Sequence, residues 1–186
     1  RALHGSATMH RMEVLVTPRL LLEPITLPLV EAVFAGDRAA LENLARAKIP
    51  AAWPGKALVE RAFSASLERI RADPHTRLWG DRLMITREGE RLLVGSVIFH
   101  GRPDEGGVAE VGYGVEESWQ NQGMATEATR VAVDWALAQT GVRAVTATTP
   151  PWHTASIRVL EKSGLVRVGV EEHEMLGEVL RFERRR

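Results

Sequence analysis

The stretch Gln120-Asn121-Gln122-Gly123-Met124-Ala125 decides the fold of this chain. It joins a predicted strand, residues 108–115, to a predicted helix, residues 124–139. The first backbone N–H groups of a helix have no partner within the helix, so they face whatever lies above the strand end. A glycine at this junction lets a phosphate approach the backbone without a Cβ in the way. The stretch therefore predicts an anion site built mostly from main chain, although Gly123 alone would equally suit an ordinary helix entry.

Two flanking segments favour the anion site. The first, Glu110-Val111-Gly112-Tyr113-Gly114-Val115, precedes the stretch, and the second, at residues 150–165, follows it. This succession resembles the GNAT superfamily of acetyl-coenzyme A-dependent N-acetyltransferases, and it is most similar to the branch that acetylates the N-termini of ribosomal proteins. The pyrophosphate loop of that family follows Q/R-x-x-G-x-G/A, whose three defined places are here Gln120, Gly123 and Ala125.

The segment at residues 150–165 carries a second motif of the same family, N-x-x-S-x-x-x-L-E-K-x-G-F. The matching residues are Ser156, Leu160, Glu161, Lys162 and Gly164. His153 replaces the usual asparagine, and Leu165 replaces the phenylalanine. The resemblance is strong over residues 108–168, and a weaker one reaches back to Thr17-Pro18-Arg19-Leu20-Leu21-Leu22, which is similar to the family's opening strand.

Length and composition indicate one ordinary globular domain. A chain of 186 residues suits a single core, and its 24 basic residues balance its 24 acidic residues. Without net charge there is no global basic field to recruit nucleic acid or an anionic membrane, so neither partner is expected. We assign residues 1–10 to a disordered or expression-derived N-terminus and residues 11–186 to a single acetyltransferase domain.

Two residue types restrict the chemistry. The chain contains no cysteine, which excludes disulfides, thiolate metal sites and a cysteine acyl-enzyme. Its six histidines are scattered without paired spacing, so no metal is expected. No apolar run is long enough to span a bilayer and no signal-peptide pattern is present, so the expected location is the cytoplasm.

The periodicity of the apolar residues predicts an α+β fold. Residues 14–25 are expected to form one strand, and residues 83–87 and 92–99 a hairpin. Residues 58–71 have helical spacing. A βαβ unit is expected in the C-terminal half of the chain. The sequence therefore predicts a GNAT-like mixed sheet, mostly antiparallel, of about seven strands flanked by about four helices.

The resemblance implies that acetyl-coenzyme A is the co-substrate. The loop would hold the pyrophosphate with backbone donors, and the exposed main chain of the preceding strand would bind the pantetheine arm and polarise the thioester carbonyl. The implied cofactor-binding residues are Tyr113, Gly114, Val115, Gln120, Asn121, Gln122, Gly123, Met124, Ala125, Thr126, His153, Ser156 and Leu160. Glu127 would repel a pyrophosphate, so we expect its carboxylate to point elsewhere and to serve the structure.

Glu110 is the best candidate for the general base. It lies on the strand before the loop, near the expected reaction centre, where a carboxylate can deprotonate an ammonium directly or through water, aided by burial. The alternative is a glutamate on the strand surface that pairs with an arginine.

Two residues are candidates for the general acid that protonates the departing thiolate. Many members of the family place a tyrosine where Leu160 stands here, and branches without that tyrosine have a serine one turn earlier, at the place of Ser156. Ser156 would hydrogen-bond the sulfur, or it is merely a cap in the first helical turn. His153 would either replace one hydrogen bond of the missing asparagine or titrate as an acid or base.

Two tryptophans are candidates for the acceptor site. Trp53 lies in a breaker-rich loop and is expected to be exposed, and Trp152 flanks the second motif. Against this role, tryptophan is commonly a large core residue.

Together these features predict an N-acetyltransferase that moves acetyl from acetyl-coenzyme A to a primary amine by direct attack in a ternary complex. The amine would belong to a protein N-terminus or a small molecule. The alternative is a regulatory protein that binds coenzyme A without catalysis. Dimers are common among similar proteins, so a homodimer is one expected assembly. A nucleotide-binding fold is disfavoured, because Gly112-x-Gly114 lacks the GxGxxG spacing.

Overall fold

The computed structural model describes residues 13–55 and 67–186. The predicted N-terminal extension, residues 1–10, and most of the predicted helix at 58–71 lie outside the described residues. Within the described part, none of the helices combines the length and apolar character that crossing a membrane requires.

An eight-stranded sheet forms the centre of the fold, with the order β1-β2-β3-β4-β5-β6-β8-β7. Only β5 and β6 pair in parallel, and the remaining neighbours are antiparallel. The strands are β1 Leu15–Val16, β2 Leu20–Pro24, β3 Arg82–Thr86, β4 Leu93–Phe99, β5 Val108–Val115, β6 Ala144–Thr149, β7 Val166–His173 and β8 Gly177–Arg185.

Six α-helices are found in the described residues, together with a 3-10 turn at Glu117–Trp119. They are α1 Leu27–Ala35, α2 Arg38–Ala45, α3 Leu67–Ala72, α4 Pro74–Arg77, α5 Met124–Ala138 and α6 Thr154–Lys162. The predicted mixed, mostly antiparallel sheet is therefore confirmed, and the described part of the chain has more strands and helices than the approximate numbers expected.

The N-terminal segment corrects the prediction of one strand over residues 14–25. The chain reverses at Thr17, so that β1 and β2 pair with each other, with Leu15 opposite Leu22. The Thr17 N–H donates to the Leu20 carbonyl at 2.9 Å, and the Leu20 N–H donates to Thr17 Oγ1 at 2.8 Å. Because the threonine hydroxyl satisfies the turn locally, the alternation of apolar residues does not reveal the reversal.

Two apolar clusters stabilise the fold. The first joins the sheet to α5, whose small residues Ala128, Ala132 and Ala136 let the helix approach the strands closely. The second joins residues of β3 and β4 to the N-terminal helices. The sheet is thus covered by helices in both clusters, and the loop between β5 and α5 is held at the edge of the first cluster.

Candidate functional site

A cavity of about 1050 Å³ opens where β5 leads into α5. Its walls come from the C-terminal part of β5, the end of β6, the loop before α5, the first turn of α5, most of α6 and the β7–β8 hairpin. All the predicted cofactor-binding residues except Gln122 line this cavity. Their roles stay predictions, but the fold brings together segments that are far apart in sequence.

The parallel strands β5 and β6 part inside the cavity. Their pairing ends at Glu110 opposite Thr146. Beyond that pair, in a fully described part of the chain, β5 pairs only with β4 and β6 only with β8. The main-chain groups of Gly112–Val115 on the β6 side therefore face the cavity instead of a neighbouring strand, which is a separation that the sequence could not reveal.

The loop before α5 has the backbone shape expected of an anion site. Gly123 precedes the helix with φ of 80°, and Asn121 has φ of 58°. These left-handed conformations favour glycine and asparagine, so the two residue types suit their positions. The Gln120 and Gln122 side-chain amides donate to the carbonyls of Val115 and Ser118 and brace the loop. Gln122 thus turns away from the cavity, unlike its neighbours.

The first hairpin holds Glu127, so its carboxylate serves the structure as expected. Its carboxylate accepts from Thr17 Oγ1 at 2.6 Å and from the Arg19 N–H and Nε at 2.7 and 2.8 Å. Partial burial alone would raise the pKa of Glu127, but these hydrogen bonds outweigh it and lower the pKa below its ordinary value.

Arg19 is a residue of this region that the sequence analysis did not single out. Besides its contacts with Glu127, Arg19 Nη1 donates to the Gln122 carbonyl at 2.8 Å. A Cβ added at Gly123 would lie 3.2 Å from Arg19 Nη2, so the guanidinium also packs against the glycine. The weak resemblance to the family's opening strand was the only signal at this position.

Glu110 lines the cavity where the pairing of β5 with β6 ends, but its environment differs from the expectation. The side chain is exposed, so the expectation that Glu110 is buried is wrong. His100 faces Glu110 across β4 and β5, where the His100 N–H donates to the Glu110 carbonyl at 3.1 Å. Among the described residues that line the cavity, Glu110 is the only carboxylate, and His100 is its cross-strand neighbour.

The start of α6 meets β5 through a pair of hydroxyls. Tyr113 Oη lies 2.9 Å from Ser156 Oγ and 3.0 Å from the Ser156 carbonyl oxygen. His153 Nδ1 accepts from the Ser156 N–H at 3.4 Å, so His153 caps this helix. Leu160 lines the cavity but is buried to 1% exposure, and it has no group that can exchange a proton.

The two candidate tryptophans do not line the cavity. Trp53 is only 2% exposed and belongs to the second apolar cluster, so the expectation of an exposed side chain is wrong. The cause is Arg38, which donates to the carbonyls of Ile49, Pro50 and Trp53 and folds the loop inward. Trp152 is 75% exposed and stacks on His153 just outside the cavity.

Two further groups of residues line the cavity that the sequence analysis did not assign to the site. Arg158 and Lys162 place positive charge on α6, and His173, Met175 and Leu176 come from the β7–β8 hairpin. Arg158 and Lys162 lie on the same short helix as Ser156, but their spacing from it does not place them on one helical face. Nothing in the sequence indicated that the hairpin would reach the cavity. Among the described residues, no cluster of side chains suits a metal ion.

Comparison with known proteins agrees with this geometry. Residues 19–166 match the family described as the acetyltransferase (GNAT) domain. The chain is 30% identical over 155 residues to the uncharacterized N-acetyltransferase YjdG of Bacillus subtilis strain 168, which covers 83% of this chain and 90% of that protein.

Solved structures share the fold at low sequence identity. An acetyltransferase of the GNAT family from Bacillus anthracis superimposes with a TM-score of 0.59 at 19% identity, covering 93% of this chain and 98% of that one. RimL, a ribosomal L7/L12 alpha-N-protein acetyltransferase in complex with coenzyme A, superimposes with a TM-score of 0.59 at 15% identity, covering 92% and 97%. The family match, which spans most of the chain, and the shared fold confirm the resemblance read from the loop and its flanks: the chain belongs to the GNAT acetyltransferase family.

Proposed function

We propose that this protein transfers an acetyl group from acetyl-coenzyme A to a primary amine, on a protein N-terminus or a small molecule. The observation that carries the proposal is the parting of β5 and β6 beyond Glu110, because it opens a cavity between an exposed strand edge and the start of α5. A strand edge of this kind can bind an extended chain of amides through its main chain.

The two ends of the cavity suit the two ends of the cofactor. At the α5 end, the unpaired N–H groups of the first helical turn and the loop around Gly123 favour an anion such as a pyrophosphate. At the β5 end, the main chain of Gly112–Val115 would hold the pantetheine arm. Arg158 and Lys162 add positive charge along the same wall, which favours a phosphorylated ligand over a neutral one.

The acceptor ammonium loses two protons in the overall reaction, and the departing thiolate gains one. Acetyl-coenzyme A provides an activated acyl carbon when it is bound. Glu110 would accept a proton from the acceptor ammonium, directly or through water, and the freed amine lone pair would attack that carbon. A new C–N bond forms and its nitrogen loses a second proton to water. The C–S bond breaks, the departing thiolate takes a proton from the Ser156 hydroxyl, and that proton is replaced ultimately from water.

The test is the release of free thiol from acetyl-coenzyme A in the presence of a panel of primary amines. We expect turnover by the wild-type protein and a fall in kcat of about 100-fold in Glu110→Gln, within the range usual for general acid–base catalysis. The matched control is Glu88→Gln, which makes the same change at an exposed position in the β3–β4 turn. Equal kcat values for Glu110→Gln and the wild type would remove Glu110 from the mechanism.

A second candidate function is the binding of coenzyme A without catalysis. The observation that favours it is Leu160, which occupies the place of the family's tyrosine and is buried without an exchangeable proton. In that case coenzyme A would bind tightly, no amine in the panel would be acetylated, and Glu110→Gln would leave the affinity unchanged.

A further inference from the structure

We infer that Tyr113 is a positioning residue for Ser156, holding its hydroxyl and resupplying the proton that Ser156 gives to the departing thiolate. The inference rests on the proposed function and adds a side-chain role to a residue whose main chain alone was expected to matter. Tyr113 comes from β5 and not from the helix that carries the family's usual tyrosine.

The position of Tyr113 makes it the phenol nearest to the hydroxyl of Ser156. It is the single tyrosine of the chain. Its oxygen lies 2.9 Å from Ser156 Oγ, and both residues line the cavity where β5 and β6 part. The phenol thus reaches from the strand to the start of α6, one helical turn before the buried Leu160.

The hydrogen-bond geometry allows two arrangements of the same atoms. A phenol has one hydrogen, and two oxygens of Ser156 lie within reach of it, the carbonyl at 3.0 Å and the hydroxyl at 2.9 Å. When the phenol donates to the carbonyl, Ser156 Oγ–H donates to the phenol oxygen. When the phenol donates to Ser156 Oγ instead, the serine hydrogen is free to point into the cavity. Rotation of two hydroxyls is therefore enough to turn the serine toward a sulfur.

The second arrangement completes a balanced proton transfer. As the C–S bond breaks, the sulfur keeps the electron pair and takes the Ser156 hydrogen. Ser156 takes the Tyr113 hydrogen in the same step, so no alkoxide forms, and the phenolate regains a proton from water. The acceptor nitrogen loses one proton through Glu110 before the attack and a second to water once the C–N bond has formed. One of these offsets the proton that water gives to the phenolate, so charge and atoms balance over the cycle with one proton released.

Physical chemistry favours the pair over the serine alone. An aliphatic hydroxyl is a far weaker acid than a phenol, which gives up its proton near pH 10 in water. A serine that protonates a thiolate therefore benefits from a second donor that replaces its hydrogen at once. Without Tyr113, Ser156 could still hydrogen-bond the sulfur, but the proton would have to come from solvent.

The kinetic test uses Tyr113→Phe, Ser156→Ala and the double variant, with Thr140→Val as a control that removes an exposed hydroxyl beyond the end of α5. We expect Tyr113→Phe to lower kcat about 10- to 100-fold while the KM for acetyl-coenzyme A changes less than about twofold. Because Tyr113 acts through Ser156, the double variant should be no slower than Ser156→Ala.

A purely structural tie between β5 and α6 would give a different pattern. Tyr113→Phe would then raise KM or lower the melting temperature with kcat unchanged, and its effect would multiply with that of Ser156→Ala. Either result overturns the inference. Turnover by the wild-type protein is measured in the same assay, so a failure of the proposed function is distinguished from a failure of the role of Tyr113.

A spectroscopic measurement keeps the inference testable if Tyr113→Phe does not fold or if no acceptor amine is found. Incorporation of 3-fluorotyrosine labels position 113 alone, because the chain has no other tyrosine. In the wild type we expect coenzyme A and acetyl-coenzyme A to give different ¹⁹F shifts, since only the free thiol can exchange a hydrogen with Ser156. In Ser156→Ala we expect the two ligands to give the same ¹⁹F shift. Identical shifts for the two ligands in the wild type would contradict the contact.

Discussion

A single arginine joins the first hairpin to the loop before α5. Arg19 contacts Glu127 in the first helical turn and the carbonyl of Gln122 in the loop, which are residues more than a hundred positions away in sequence. This bond ties the Gln122 carbonyl to the first hairpin. Arg19 therefore holds the backbone of the loop in which we propose the anion site.

Arg19→Met should weaken coenzyme A binding without unfolding the protein. The side chain is half exposed, so we discount its hydrogen bonds to about 1 kcal/mol, which is roughly a fivefold rise in Kd. Titration calorimetry with coenzyme A measures the change. Arg71→Met is the matched control, because it breaks a similar surface ion pair, at 2.7 Å to Glu31, away from the cavity. An unchanged Kd for Arg19→Met would mean that the loop keeps its shape unaided.

Individual residues show which features of the site the sequence could predict and which it could not. The loop glycine, Glu110 and Ser156 could be predicted to lie together because they belong to short motifs whose spacing is local, and all three line the cavity. Trp53 was misjudged because its burial depends on Arg38, whose three hydrogen bonds to the loop carbonyls have no sequence signature. Arg19 was missed because its contacts with Glu127 and Gln122 have no sequence signature either.

At the scale of elements, β4 and β5 approach each other closely beside the cavity. A Cβ added at Gly95 would overlap the carbonyl oxygen of Gly114 and lie 3.1 Å from Val115 Cα. Both contacts are with backbone, which cannot rotate away. Gly95 therefore fixes the position of the strand edge that faces the cavity, where β5 leaves β6.

Gly95→Ala should shift β5 and lower both stability and coenzyme A affinity. We expect a loss of about 1–3 kcal/mol in the free energy of unfolding, the usual cost of overpacking, and a measurable rise in Kd. Urea unfolding and calorimetry give the two quantities. Gly169→Ala serves as the control, since a Cβ there meets nothing within 4 Å. Equal losses in both variants would point to a general strand effect instead of the β4–β5 contact.

The elements themselves were largely predictable. The β3–β4 hairpin and α5 follow apolar periods of two and of 3.6, so their existence was confirmed with small shifts at the ends. The reversal at Thr17 was not predictable, because the turn uses a side-chain hydroxyl in place of glycine. The parting of β5 from β6 was not predictable either, since pairing is a property of two strands.

At the scale of the whole molecule, Asp81 and Arg82 connect distant elements. The Asp81 carboxylate accepts from the Phe99 N–H at 2.7 Å, and its carbonyl accepts from the Ile25 N–H at 2.9 Å. The Arg82 guanidinium lies 4.2 Å from the ring centre of Trp135 on α5. Two adjacent charged residues thus join three strands and the main helix in the interior.

Burial makes this connection sensitive to pH. It raises the pKa of Asp81 well above its ordinary value, against the opposing effects of the Phe99 N–H and the Arg82 charge. It also lowers the pKa of Arg82 to about 10. Between the ordinary and the raised pKa of Asp81, the folded protein holds a proton that the unfolded chain releases. The contribution of Asp81 to stability is therefore lost as pH rises through that window.

Asp81→Asn removes this ionisation and keeps the acceptor for the Phe99 N–H. Asp81 Oδ2 has no hydrogen-bond partner among the described residues, so the amide of the variant adds unpaired donors there. Their cost in stability does not depend on pH, so the informative quantity is the trend of stability with pH. Relative to the wild type, the variant should gain stability as pH rises, measured by urea unfolding at several pH values. Asp73→Asn should show the opposite trend, because hydrogen bonds from Thr76 lower the pKa of Asp73. Parallel curves for Asp81→Asn and the wild type would mean that Asp81 stays charged in the folded protein, stabilised by Arg82.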